Sequence, residues 1–380
     1  MRRTSLISLV LLVACSKDSG DAVETGDSSS LAVPAFGEDL SPAFTVVGTG
    51  SDGLATPRDL EFHPSKDELW VVNKATDGVV IFDAPGTAEQ TADEQIDSYA
   101  NHFMETVSSL AWGVGSDDTD GEEVFATCQE SRNTYDGQGA PNDFMGPALW
   151  PGDRSIYAKK NQNSQTLLGS HLDMLHQSPQ CMGIAHASGN AYWVFDGRNN
   201  GFSEDPVVVG AGLVYYDFQS DHGPGGDDHS DGIVRRYDEV ELTRVKKIPG
   251  HMQVDKDTGL LYIADTGAGR ILEVDTNSGA VSGTFPFHLE YLEEFSKVTN
   301  VSQRNLVEGL DNPSGLVLDG ETLFIGVNGT GEIIAYTLGG EELARISTPA
   351  ESLMGLEIGP EGHLWYVDAE AEELVRVDPS

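Results

Sequence analysis

The feature that most restricts the fold is a recurring unit of two short alternating strands around a polar turn. Its first copy runs from Asp59 through Asp59-Leu-Glu-Phe-His-Pro-Ser-Lys-Asp-Glu-Leu-Trp-Val-Val to Asn73, and a third apolar run follows from Gly78 to Asp83. The unit returns as Met182 to Asp196, His251 to Asp265, Ser314 to Asn328 and Met354 to Asp368. In each copy the residue opening the first strand and the residue closing the second lie 14 positions apart. A degraded copy fits between the first and third, with Ser108 to Trp112, an acidic turn and then Glu123 to Cys128. One small antiparallel sheet cannot bury both its faces, whereas sheets stacked around a ring can. The expectation is an all-β chain whose residues 43–380 form one six-bladed β-propeller. Ala43 to Gly48 would supply the missing outer strand of the last blade, closing the ring and removing two open edges. A seventh blade would require a copy concealed within residues 280–311. Apolar helical patterns between the copies are absent, which argues against an α/β barrel.

The N-terminus reads as an export signal. Arg2 and Arg3 precede an apolar stretch, Leu6 to Val13, that is too short to span a bilayer but suits a signal-peptide core. Leu12-Val13-Ala14-Cys15 resembles the lipobox of bacterial lipoproteins. That resemblance implies cleavage after residue 14, lipidation at Cys15 with palmitate-type acyl chains, and a membrane partner reached through the lipid. Ser16, in place of Asp, resembles the pattern that lets Gram-negative lipoproteins reach the outer membrane, on either its periplasmic or its surface side. Residues 15–42 would be a flexible tether, since Lys17 to Pro34 is rich in Ser, Gly, Asp and Glu.

With 22 basic and 62 acidic residues the formal charge is −40. Such a surface repels nucleic acid phosphates, so no nucleic acid partner is expected. With Cys15 lipidated, Cys128 and Cys181 remain. Cys128 ends the second strand of blade two and Cys181 precedes the first strand of blade three, neighbouring slots on one face that suit a disulfide in an exported protein.

Leu261-Tyr-Ile-Ala-Asp-Thr-Gly-Ala-Gly-Arg-Ile-Leu-Glu-Val-Asp275 resembles the signature of NHL repeats, and the other copies resemble divergent versions. The family is similar to the propellers of peptidyl-α-hydroxyglycine α-amidating lyase and of the gluconolactonase group. What carries over is the fold, since NHL propellers host enzymes and binding modules alike. On that fold two rings of residues gather near one mouth of the central channel. Asp59, Ser108 or Ser109, Met182, His251, Ser314 and Met354 open the first strands, while Asn73, Cys128, Asp196, Asp265, Asn328 and Asp368 close the second. The second ring reads as turn caps or as oxygen ligands for Ca²⁺. His251 stands where the lyase resemblance places zinc-binding histidines, and the loop histidines His102 and His176 would complete a transition-metal site such as Zn²⁺. A second cluster, His222, Asp227, Asp228 and His229 in a glycine-rich acidic loop, would hold a cation at the opposite face. Arg198 could clamp an anion or pair with Asp196 or Asp173, and Tyr135, Tyr192 or Asp196 could transfer protons.

Two functions fit. One is a cell-envelope lipoprotein that binds a small molecule, a peptide or an envelope protein at the mouth or rim. The other is a metal-dependent lyase or hydrolase working at the same mouth. Neither a Gly-x-Ser-x-Gly elbow nor a phosphate-cradling Gly-x-Gly-x-x-Gly between strand and helix is present.

Overall fold

A computed structural model describes residues 33–115, 123–132, 145–159, 168–197, 205, 207–220, 222–226, 228–285 and 291–380. The strands assemble into six sheets, one per blade. Strand β1 (Ala43–Gly48) is followed by blade one, β2 (Pro57–Phe62), β3 (Glu68–Asn73), β4 (Gly78–Asp83) and β5 (Thr91–Gln95). Blade two is β6 (Val107–Val114), β7 (Glu123–Gln129), β8 (Ala148–Pro151) and β9 (Asp173–Met174). Blade three opens with β10 (Gly183–Ser188), β11 (Ala191–Asp196), β12 (Val207–Asp217) and β13 (Ile233–Val245). Blade four begins β14 (Met252–Asp255), β15 (Leu260–Asp265) and β16 (Arg270–Asp275). A hairpin, β17 (Ala280–Thr284) and β18 (Glu294–Thr299), interrupts it before its last strand, β19 (Gln303–Glu308). Blade five is β20 (Pro313–Asp319), β21 (Thr322–Val327), β22 (Glu332–Thr337) and β23 (Glu342–Ser347). Blade six is β24 (Leu353–Ile358), β25 (Leu364–Asp368) and β26 (Glu373–Asp378).

Ring closure is as the sequence implies: β1 pairs antiparallel with β26, Ala43 opposite Asp378. The stretch that might have hidden a seventh blade does something else. The β17–β18 hairpin leaves blade four and extends blade three, β18 lying parallel to β13, so that blade three has six strands. Part of the expected tether is also packed, because Val33, Ala35 and Phe36 are buried against blades five and six, the Phe36 ring meeting Phe324 edge-on.

Each blade interface carries its own apolar cluster. Trp70, Val72 and Ile81 of blade one meet Trp112, Phe125 and Trp150 of blade two, and five comparable clusters fill the other interfaces. Alternation along β3 sends Trp70 and Val72 toward blade two and Leu69 and Val71 toward blade six, which is why its centre, Leu69 to Val72, is apolar on both faces. Glycine is required where the innermost strands crowd the axis. A Cβ on Gly315 would lie 2.3 Å from the Met354 carbonyl oxygen, and one on Gly183 would lie 2.1 Å from the Gly250 carbonyl oxygen. The repeated Met-Gly-Ile, Ser-Gly-Leu and Met-Gly-Leu at residues 182–184, 314–316 and 354–356 records this constraint.

Candidate functional site

The ends of the blades where first strands begin and second strands finish define one mouth. Here the linkers of four blades converge on a pocket of about 410 Å³. Among the described residues that line it, the positive charges are Arg58, Lys74, Arg132, Lys246 and Lys247, five of the 22 Lys and Arg residues in the chain, and the carboxylates are Glu105 and Glu130.

At the floor, Arg58 and Arg244 are almost wholly buried and share one carboxylate. Arg58 Nη2 donates to Glu130 Oε2 at 2.9 Å, and Arg244 Nη1 donates to Glu130 Oε1 at 3.0 Å. The Lys247 backbone N–H donates to both Glu130 oxygens, at 2.9 and 3.0 Å. Glu130 therefore ties the linkers of blades one to four together. Burial pulls the Arg58 guanidinium below its ordinary value, while the charge of Glu130 opposes that shift. Among the described residues, Ser131 Oγ and Gln180 Oε1 are buried beside this network without a hydrogen-bond partner, and polar atoms in that condition are what a ligand or water satisfies. Lys246 and Lys247 form an exposed rim.

The wall of the pocket is held by the expected disulfide. Cys128 and Cys181 are bonded, with Cα atoms 5.4 Å apart and both residues buried. Glu130, Ser131 and Arg132 follow one cysteine and Gln180 precedes the other, and the Gln180 N–H donates to the Ser131 carbonyl at 2.7 Å. Thr106, Gln180 and Lys247 adopt positive φ angles of 61°, 57° and 75°. A β-branched residue such as Thr106 adopts that conformation only where its surroundings fix it.

Below the mouth the channel is plugged. His251, immediately before β14, reaches across the ring to Asp59 on β2, with Nδ1 3.3 Å from Asp59 Oδ2 and Nε2 3.1 Å from the Arg58 carbonyl oxygen. Both ring nitrogens thus face protein acceptors. Asp59 also accepts the backbone N–H groups of Leu60 and Leu110, at 2.9 and 3.0 Å. The far end is acidic. Asp59 and Glu61 project alike from β2, and Glu61 with Glu357 of β24 lines a cavity of about 210 Å³ that also includes Trp112, His186, Gln253 and Lys256. Burial pushes the Glu357 carboxyl up to about 8; it also pushes Glu61 well above the ordinary range, with the charges of Glu357 and Asp59 adding to the effect.

The structure separates the residues expected to share a mouth metal. His251 belongs to the axial plug, whereas His102 and His176 lie beside the outer strand of blade two, near His171. The second cluster does not occupy the opposite face alone. His229 Nδ1 lies 2.7 Å from Asp173 Oδ1 on β9, and its ring centroid is 4.8 Å from that of His176. The loop from β12 to β13 straps blade three onto blade two, the Gly225 N–H donating to the His171 carbonyl at 2.7 Å. His222 Nε2 lies 3.1 Å from Asp231 Oδ1, and Asp228 is exposed, bonded to Ser230. Burial takes His171 down to about 3 and raises Asp173, against the opposing pull of His229. Among the described residues no three His, Cys, Asp or Glu side chains stand where one metal ion could join them. Cys15, Tyr135, Arg198 and Asp227 lie outside the described residues.

The remaining expected site residues are structural in their contacts. Asp196 is buried at the end of β11 and ion-paired at 2.5 Å with Arg236, and Tyr192 is buried within the same strand beside His186. Three of the residues closing the second strands act as caps. Asn73 Oδ1 accepts the Ala55 N–H at 3.0 Å, Asp265 Oδ1 the Thr243 N–H at 2.7 Å, and Asp368 the N–H groups of Glu351 and Ser352 at 2.8 and 3.0 Å. Sequence reasoning passed over the basic pocket, although Lys74, Arg132, Lys246 and Lys247 fall in the linkers that the repeat assigns to the mouth and Arg58 at the mouth end of β2. Their scarcity elsewhere in so acidic a chain was the available signal.

No family model matches the chain, and no curated protein matches it by sequence. Solved structures resemble it at low identity. A gluconolactonase from Xanthomonas campestris is 13% identical, over 91% of this chain and 96% of that one, with a TM-score of 0.48. A calcium-binding protein, regucalcin, from Agrobacterium tumefaciens is also 13% identical, over 89% and 96%, at 0.45. Virginiamycin B lyase from Staphylococcus aureus is 10% identical, over 89% and 100%, at 0.47. These activities are those proteins' own, and the six-bladed architecture here rests on this chain's strand pairing.

Proposed function

We propose that this protein is a lipid-anchored binding propeller of the cell envelope that takes an anionic small molecule into its mouth. The observation that carries this reading is the concentration of five of 22 basic residues on one concave pocket in a chain of charge −40. The long-range field of the acidic surface repels anions, but at physiological ionic strength it is screened beyond about 8 Å. Among the described lining residues of the pocket, five cations stand beside two carboxylates. A cavity of about 410 Å³ accommodates a metabolite-sized ligand and suits a binding site with a few convergent polar groups. Anchorage rests on Leu12-Val13-Ala14-Cys15, and Ser16 favours the outer membrane of a Gram-negative cell.

Thermal-shift titration of the full-length protein tests the ligand reading. Acetate, succinate and phosphate are expected to raise the melting temperature saturably, and choline or glucose to leave it unchanged. Charge reversal at Lys246→Glu with Lys247→Glu should remove the anion effect; an effect equally large for choline or glucose and indifferent to the reversal contradicts the proposal. For the anchor, metabolic labelling with palmitate should mark the wild type and not Cys15→Ser, and equal labelling of both would overturn that part.

A further inference from the structure

Three polar atoms of the mouth pocket describe an uncharged group that its ligand carries. Gln180 Oε1, Ser131 Oγ and Arg58 Nε are each buried and have no hydrogen-bond partner among the described residues. All three residues line the pocket. They also stand side by side: Arg58 Nη2 donates to Glu130 at 2.9 Å, Ser131 is the next residue in the chain, and the Gln180 N–H donates to the Ser131 carbonyl oxygen at 2.7 Å. Gln180 is 4% exposed and Arg58 1%, so neither side chain is served by open solvent as a surface residue would be.

The fold fixes Gln180 where it stands. Its φ of 57° lies in the left-handed region, which a side chain of this kind occupies only where its surroundings impose it, and such outliers gather at binding sites. The next residue, Cys181, is bonded to Cys128. Gly197 passes so close that a Cβ there would lie 1.8 Å from the Gln180 carbonyl oxygen. Gln180 Oε1 only accepts, Arg58 Nε–H only donates, and Ser131 Oγ does either. A carboxylate has no hydrogen to give to Gln180. An aliphatic hydroxyl both donates and accepts, so it answers all three kinds of group.

Resting on the anion-binding reading above, we propose that the mouth selects a small organic anion whose carbon chain carries a hydroxyl group, recognised by Gln180 with Ser131 and Arg58 beside it. Gln180 is the specificity-determining residue. An analogue without the hydroxyl leaves Gln180 Oε1 unpaired in the bound state, and a site built to hydrogen-bond a hydroxyl discriminates strongly against the analogue that lacks it.

Isothermal titration of the full-length protein at pH 7.5 and fixed ionic strength tests this with two pairs of probes, glycolate against acetate and lactate against propionate. Within each pair only the hydroxyl differs. In at least one pair the hydroxyl-bearing member should bind about tenfold or more tightly than its partner. Gln180→Met keeps the length of the side chain and removes its acceptor. It should lower that preference to below about threefold, through loss of affinity for the hydroxyl-bearing probe alone. Ser131→Ala should lower the preference about threefold, and it keeps the test decisive if the Gln180 variant does not fold. A preference unchanged in Gln180→Met, or in Ser131→Ala where only that variant folds, would overturn the assignment of these residues. A preference below about tenfold in both pairs of the wild type would overturn the hydroxyl selection while leaving an anion site. Absence of binding by all four probes would overturn the anion-binding reading as well.

Discussion

The two ends of the central channel are made from the same strands and have opposite chemistry. At the mouth, Arg58 and Arg244 remain charged in a buried setting because Glu130 lies between them. At the far end Glu61 and Glu357 have no such counter-charge at hydrogen-bond distance among the described residues, each accepting one backbone N–H, and burial raises both carboxyls. Asp59 and His251 divide the ends. Burying a charge is tolerated where a partner of opposite sign is fixed beside it, and otherwise the group tends to become neutral. The mouth thus keeps its buried groups paired, whereas burial at the far end favours the neutral form of Glu61 and Glu357.

Changing Arg244 to Ala attacks the mouth most severely. It leaves Glu130 short of a partner in the interior, and denaturant unfolding should show a loss of about 3–5 kcal/mol. A loss below about 1 kcal/mol would mean that the buried trio is not coupled. Next comes the wall of the mouth. Cys128→Ser with Cys181→Ser opens a crosslink spanning 53 positions and should cost about 2–4 kcal/mol. Anion affinity should fall with it, since Ser131 and Gln180 flank the bonded cysteines.

The far end makes its own prediction through pH. The Glu357 carboxyl ionises near 4.5 in the unfolded chain and near 8 in the fold. Between these values the folded protein retains a proton that the unfolded chain has lost, so its stability falls as pH rises through this window; below about 4.5 both forms are protonated and the penalty is absent. Glu357→Gln should flatten that slope and stabilise the protein at pH 8.5 by about 1–3 kcal/mol, the upper part of the pH-linkage range being reduced because the channel opens to solvent. Unfolding curves of both proteins from pH 4 to 9 check the sign. The smallest effect belongs outside both ends: Arg345→Ala breaks exposed pairs with Glu332 and Glu342 and should change stability by less than about 1 kcal/mol.

The ring was legible because backbone geometry repeats. The 14-residue spacing, the β1 closure and the Cys128–Cys181 pair all follow from positions within a blade. The β17–β18 hairpin was not, since Ala280 to Thr284 has no repeat to place it and its parallel partner, β13, belongs to another blade. The strap carrying His229 was misplaced for a similar reason: the connection from β12 to β13 leaves its own blade to meet Asp173 on β9. The mouth was located but not its chemistry. Asp196 looked available as a strand-end carboxylate, yet Arg236 holds it, while Glu130, in an unremarkable Gln-Glu-Ser stretch, organises residues from Arg58 to Lys247. Such partners are set by the stacking of blades, which no single copy of the repeat records.

Crystals of the protein soaked in selenate and measured at the selenium absorption edge test the central claim most directly, because selenate is a doubly charged oxyanion with its own anomalous signal. The account predicts an anomalous peak in the mouth pocket, within hydrogen-bonding distance of Arg132, Lys246 or Lys247, that disappears in Lys246→Ala with Lys247→Ala. Selenate bound elsewhere on the surface, with none in the mouth, would contradict it.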